Sequence, residues 1–283
     1  MKKYELTSEV IEYKGYTLHR IKALKDFSYV KAGELGGYIE SKDNLSQDGT
    51  AWVFDNAKVY EKAIVSGNAE IYNNACIFGN AKVYGNAKVC NNALIYDNTA
   101  VYDNAYIADN TRIYDNAKVY EKAQVFDNAV ICNHAAVYGH TKVFDNVTIY
   151  NKAKVYGFIT VYNKVQIYNE ATVCGRAIIY GNAFIHGNAE INSSAIAIYG
   201  NVDICGNAKI YNKGDYIVFK NFWSSERYFT WTRSNNMWKV GCFYGTGEEL
   251  IKKAYADSEK SGKEYERVVR YVESILADEQ KSN

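Results

Sequence analysis

The sequence predicts a mainly β protein whose central part is a three-sided coil of six-residue repeats. Three observations carry this. From Val53 to Ile191 every sixth residue is Val or Ile, 24 in unbroken succession, a pattern no helix or ordinary globular strand maintains. Two residues before each stands a small residue, nearly always alanine, as at Ala57, Ala63, Ala69, Ala75, Ala81, Ala87 and Ala93. The 283 residues include 27 Tyr and no Pro, and the repeat explains both.

The unit is seen cleanly in Ala81-Lys82-Val83-Tyr84-Gly85-Asn86. Its first four residues alternate as a strand does, so the alanine and valine point to one face, the core, while the lysine and tyrosine point outward. The remaining pair is Gly-Asn, Asp-Asn or Asn-Asn, residue types that tolerate positive φ and suit a tight corner. Three strand-and-corner units make an 18-residue coil, and eight to nine coils are expected. Eight of them at the roughly 4.8 Å spacing of paired strands give a rod of about 38 Å. Folding the sequence at this period puts Asn56, Asn74, Asn92, Asn110, Asn128 and Asn146 on one corner, where their amides can hydrogen-bond along the stack. Proline would remove a ladder donor in nearly every slot, hence its absence.

Three segments are expected: a cap over 1–50, the solenoid over 51–211, and a small α+β module over 212–283. The first holds a hairpin around Lys14-Gly15 and a turn at Gly36-Gly37, and would cover the raw strand edges at one end of the rod. The repeat frame slips by one residue near Ile196 and Ala197, resumes at Val202 and Ala208, and stops after Tyr211. Strand-like runs follow at Tyr216 to Trp223, Tyr228 to Thr232 and Trp238 to Phe243. Thr246 with Glu249 forms a capping box for a first helix. Tyr265, Val268, Val269, Val272 and Ile275 give a second helix an apolar stripe.

The spacing of Val or Ile with a small residue four further on resembles the hexapeptide-repeat proteins, which include many acyl- and nucleotidyltransferases. That resemblance implies a left-handed parallel β-helix; the six-residue period by itself implies only three sides. Two further segments resemble the hexapeptide-like, YdcK-like proteins of bacteriophages and prophages. One is the entry Leu18-His19-Arg20-Ile21-Lys22-Ala23-Leu24 with Asp26-Phe27, Val30 to Ile39 and Asn44-Leu45-Ser46. The other is Gly241-Cys242-Phe243-Tyr244-Gly245-Thr246 with Glu248-Glu249. The resemblance covers nearly the whole chain and implies the fold far more strongly than an activity.

Lys and Arg total 33 against 32 Asp and Glu. This balance gives no electrostatic drive toward nucleic acid or an anionic membrane, and a neutral chain is a poor DNA mimic. The opening Met1-Lys2-Lys3-Tyr4-Glu5 leads into no apolar stretch, and no run is long enough to span a bilayer, so a cytoplasmic location is expected. Cys76, Cys90, Cys132, Cys174, Cys205 and Cys242 show no CxxC or other close pair and read as free thiols, with no metal site expected.

Acyl transfer on this fold would need a catalytic His, an acyl-CoA groove and often a loop extruded from the coils. No extrusion interrupts the repeat between Ala51 and Ala195. His134 and His140 fall on different corners, and His186 takes an outward tyrosine slot without an evident partner, so surface histidines at tolerant positions are the plainer reading. Tyr84, Tyr102, Tyr120, Tyr138 and Tyr156 form one outward column beside Lys82, Lys118 and Lys154. It is either a self-stacked, solvated face or an interface for self-association or a partner. Arg227, Trp231, Arg233, Trp238 and Cys242 gather cationic and aromatic groups that could hold a phosphate beside a flat ring. Two tryptophans in a small module are as readily core, and Cys242 is expected to be a buried thiol.

The favoured function is therefore a non-enzymatic, phage-type binding or scaffold protein. Its solenoid would form a homo-oligomer, and its C-terminal module or tyrosine face would engage a host protein or a small, nucleotide-like ligand, in one form to counter host defence. No cofactor is expected in that role. The alternatives are a CoA-dependent acyltransferase using acyl-CoA with His140 or His186, and a structural virion or filament component.

Overall fold

A computed structural model describes residues 2–223 and 225–282. Its centre is a parallel β-solenoid in which each turn contributes three short strands. Partners stand 18 residues apart, as in Val83 beside Val101 and Ile95 beside Ile113. Val83, Ile95 and Ile113 have no solvent exposure, and the alanines of the repeat are equally buried. The interior is thus a continuous column of Val, Ile and Ala, and its six-residue alternation is the direct cause of the three-sided section.

The corners need left-handed backbone. Asp97, Asp103, Asp115 and Asn133 adopt φ of 57°, 56°, 60° and 56°, a region that Asp and Asn visit more readily than other side chains because they bond locally. Here they bond to the next turn. Asp115 Oδ2 accepts from the Asn133 amide at 3.1 Å, and Asp97 Oδ2 accepts from the Asp115 amide at 3.3 Å. Part of the expected asparagine ladder forms, with Asn92 donating to Asn110 at 3.2 Å and Asn110 to Asn128 at 3.4 Å. Another corner carries an equivalent ladder through Asn68, Asn86 and Asn104.

The solenoid has about ten turns rather than eight or nine, roughly 48 Å of rod. The difference arises at the N-terminal end. Strands β1 (Tyr4–Tyr13) and β2 (Tyr16–Ala23) form the hairpin about Lys14-Gly15, and β2 pairs antiparallel with β3 (Leu35–Ile39). β3 then pairs in parallel with the strand at Lys58–Val59, so it is itself the first rung of one face. Gly36 and Gly37 are not a turn but lie inside β3. A Cβ on Gly36 would sit 2.5 Å from the Val53 carbonyl oxygen, and one on Gly37 would sit 2.6 Å from that of Ala57. These glycines serve close backbone approach rather than a reversal. Trp52, Tyr4, Ile21 and Leu45, all fully buried, close this end of the core.

At the other end an extra residue enters the strand Glu190–Ile198. Its register to Thr172–Ile179 is 18 at Gly175 beside Ser193 and 19 at Ala177 beside Ile196. Every later rung keeps the 19-residue offset, as in Ile185 beside Ile204. The module that follows is a four-stranded antiparallel sheet (Tyr216–Lys220, Tyr228–Thr232, Met237–Val240, Phe243–Gly245) packed on helices α1 (Gly247–Asp257) and α2 (Glu259–Ser282). The expected strand from Trp238 to Phe243 is cut in two by a turn at Gly241, whose φ is 56°. The first strand ends at Lys220, leaving Phe222 and Trp223 exposed. Thr246 and Glu249 form the capping box of α1. Val269 and Val272 of α2 are buried against Trp231 and Trp238. No helix among the described residues is long and apolar enough to cross a membrane.

Candidate functional site

The residues expected to build a ligand site in the module do not converge. Trp231 and Trp238 are core, 1% and 2% exposed, with Trp238 edge-on to Phe229 at 6.5 Å. Arg227 and Arg233 flank the strand Tyr228–Thr232 at its two ends, roughly 20 Å apart at strand rise. Arg233 lies 5.9 Å from the Trp231 ring centroid, but it donates to the Gly214 carbonyl at 3.0 Å and to Glu279 at 2.8 Å. The adjoining cleft with Asn236 and Leu276 is small, about 270 Å³. Cys242 stands exposed in the turn beside Arg227, not buried, because that turn ends the hairpin away from the helices' core.

On the solenoid, Tyr84, Tyr102, Tyr120, Tyr138 and Tyr156 stack ring on ring, with centroids 4.6 to 4.9 Å apart and planes within 8°. The column has counterparts. Tyr60, Phe78, Tyr96 and Tyr114 stack on a second corner, and Phe126, Phe144, Tyr162, Tyr180 and Tyr199 on the third. Burial by neighbouring rings pushes the Tyr120 hydroxyl up to about 12, with the charge of Tyr138 adding to the effect. His140 is exposed and stacks on Phe158 at 4.8 Å; His134 is exposed on a separate corner.

His186 differs from both. Its ring stacks on Tyr168 at 4.6 Å, and its Nε2 lies 2.8 Å from Asp203 Oδ1, an orienting partner the sequence reading did not find. The one-residue slip is the reason: Asp203 is 17 residues on, while Cys205, 19 residues on, occupies the same corner slot on the next turn. Reading the 19-residue offset through Val202 and Ala208 would have aligned His186 with Cys205. The imidazole, the carboxylate and the thiol present ligand atoms all within 4.8 Å of one another. Lys239 Nζ stands 3.6 Å from Asp203 Oδ2 and also donates to the Gly241 carbonyl.

The module builds this cluster by docking over it. Thr230 Oγ1 accepts from the Asp203 amide at 3.0 Å, and the Tyr244 hydroxyl seats on Gly206, where any side chain would collide with it. Cys205 is buried, and burial beside the Asp203 charge pushes its thiol up to about 12 although Lys239 opposes the shift. His186 and Asp203 remain 19% and 28% exposed, so one side is open. Among the described residues, His186 is the one histidine paired with a carboxylate. Chemically the cluster can hold a proton between imidazole and carboxylate, or a soft to borderline cation among N, O and S donors.

A second feature lies at the same junction. Tyr199, Tyr216 and Tyr228 with Lys213 and Val218 line a recess of about 620 Å³ between the last turns and the module. The end of the solenoid opens it. A Cβ on Gly181 would meet the Gly200 amide 2.8 Å below, but no atom lies within 4 Å of the same position on Gly200. That corner therefore has no rung beneath it. Tyr216 is fixed by donating to the Ala197 carbonyl at 3.1 Å, whereas Tyr199 is 57% exposed.

Fold and repeat together define a hexapeptide-repeat β-helix with an appended α+β module. An Escherichia coli (strain K12) protein described as "Uncharacterized acetyltransferase YdcK" is 36% identical over 76 residues, or 24% of this chain and 23% of that protein. This chain therefore spans under a quarter of that relative's length. No family model matches the chain.

Proposed function

We propose that the chain is a non-enzymatic binding protein whose solenoid is a rigid platform and whose junction recess takes a small, flat, anionic molecule. One observation carries this: the tyrosine-lined recess of about 620 Å³ with Lys213 at its rim, within the size range of small-molecule sites. Tyrosine faces accept a planar ring, and a lysine ammonium is a point charge suited to a phosphate. The site lies beside the module rather than on its Arg227 and Arg233 ends, where the cations are separated or already paired. In its finer form the ligand is a nucleotide signal sequestered by a phage-type protein. Thermal melting with a panel of linear and cyclic nucleotides tests the reading. A rise in melting temperature that Tyr228→Ala removes supports it, and no shift with any member at millimolar concentration refutes it.

A second reading, CoA-dependent acyl transfer, is favoured by the 2.8 Å pairing of His186 with Asp203 and by the description of the partial relative as an acetyltransferase. A histidine oriented by a carboxylate is the arrangement a general base requires. Release of free thiol from acetyl-CoA with a panel of amine and hydroxyl acceptors, lost in His186→Ala, would support it; no release from the parent protein would remove it.

A further inference from the structure

We propose that His186, Asp203 and Cys205 form a binding site for a divalent transition-metal ion of the zinc class, independent of the recess. The argument starts from the donors. Their three ligand atoms already lie within 4.8 Å of one another. A tetrahedral ion with bonds of roughly 2.0 to 2.3 Å needs ligand atoms about 3.3 to 3.8 Å apart, so small side-chain rotations suffice. One nitrogen, one oxygen and one sulfur donor suit Zn²⁺ or Co²⁺ and disfavour Mg²⁺ and Ca²⁺, which take oxygen ligands. Three protein ligands leave the fourth position to water or a ligand atom, on the side where His186 and Asp203 reach solvent.

The surroundings hold the donors in place. Tyr168 stacks on the imidazole and fixes its plane, and the Thr230 hydroxyl fixes the Asp203 backbone. Cys205 sits on a solenoid corner, a rigid part of the rod. Such supporting contacts orient metal ligands. Lys239 is the one opposing feature, since its ammonium stands 3.6 Å from Asp203 Oδ2. Its alternative acceptor, the Gly241 carbonyl, lets it remain hydrogen-bonded while the carboxylate turns toward a cation. On binding, Cys205 gives its thiol proton to solvent and the ion gains a thiolate. A metal here occupies His186 Nε2, so a loaded site and the general-base role of His186 exclude each other.

The test is titration of the purified full chain with Co²⁺ alone, followed by the charge-transfer absorption of a cobalt–thiolate bond. The expected result is a band that saturates at one ion per chain. It should vanish in Cys205→Ser, persist in Cys242→Ser, and need roughly tenfold or more Co²⁺ in His186→Ala, as expected when a ligand is lost. Circular dichroism of each variant separates loss of the site from loss of the fold. Should Cys205→Ser not fold, the His186→Ala and Cys242→Ser titrations decide between this thiol and the others. Absence of the band in the parent protein at saturating Co²⁺, or a band insensitive to His186→Ala, overturns the assignment. Neither outcome bears on nucleotide binding in the recess.

Discussion

Removing one ring from the middle of the tyrosine column separates its structural role from a role as an interface. Tyr120 stacks on Tyr102 at 4.8 Å with planes 3° apart, and on Tyr138 at 4.6 Å with planes 8° apart. Tyr120→Ala deletes both pairs. At about 0.5 to 1.5 kcal/mol per aromatic pair, the loss is about 1 to 3 kcal/mol. Tyr120→Phe keeps the rings and should lie within about 0.5 kcal/mol of the parent. Equilibrium denaturation followed by circular dichroism measures these differences, since the sheet signal reports the solenoid directly. Sedimentation of the same variants over a range of concentrations reads association. If the column stabilises the rod, Tyr120→Ala unfolds at lower denaturant with its assembly state unchanged. If copies of the chain meet along it, the variant also dissociates at concentrations where the parent is associated. A Tyr120→Ala protein as stable as its parent would refute the stacking argument itself.

Further expectations follow from the same geometry. Tyr106, Tyr114, Tyr120 and Tyr168 are each pushed up to about 12, by burial for Tyr120 and Tyr168 and by a cysteine partner together with burial for Tyr106 and Tyr114. Folded tyrosines then keep protons that the unfolded chain releases near pH 10, so stability is complete below pH 10 and falls between pH 10 and 12. A pH titration by circular dichroism, read beside tyrosinate absorbance, should show both changes together. Asp115→Ala leaves an alanine at φ 60° and removes the acceptor for the Asn133 amide and side chain. The expected cost is about 1 to 3 kcal/mol, with faster hydrogen exchange at the Asn133 amide and partial recovery in Asp115→Gly. Gly36→Ala drives a methyl to 2.5 Å from the Val53 carbonyl. It should destabilise the cap by about 1 to 3 kcal/mol, seen as greater proteolysis of the first 50 residues.

The solenoid was legible because its cause is periodic. Burial of Val83 or Ile113 needs only the knowledge that side chains alternate along a strand, and the corner slots follow from residues that accept positive φ. The same logic misled at Gly36-Gly37, where two adjacent glycines suggest a reversal. They are instead glycine because the carbonyls of Val53 and Ala57, from the next turn, pass within 2.6 Å of where each Cβ would be, a tertiary fact with no local signature. In the module, Arg227, Trp231, Arg233, Trp238 and Cys242 are near in sequence. A strand spreads neighbours along its length and alternates their sides, so proximity in sequence did not become convergence in space.

The junction eluded a periodic reading for a reason that also explains why a site forms there. A perfect solenoid presents the same chemistry every 18 residues, so no turn of it is chemically distinct. Distinctness requires that the symmetry be broken. In this chain the breaks coincide at one end. The aromatic column gives way to His186 and then Cys205, the inserted residue near Ser193 shifts the partner offset to 19, and the module supplies Thr230, Lys239 and Tyr244 from outside the repeat. Asp203 holds the outward slot opposite Phe184, two residues before Cys205, and so reaches His186 from the neighbouring rung. Deleting Ser194 tests whether the inserted residue itself matters to the cluster. It should return the later rungs to an 18-residue offset with Ile204 still in the core and Asp203 still beside His186, because every residue after the deletion shifts together. The Co²⁺–thiolate band should therefore persist in the deletion variant, and its loss would show that the bulge itself positions the module over the cluster.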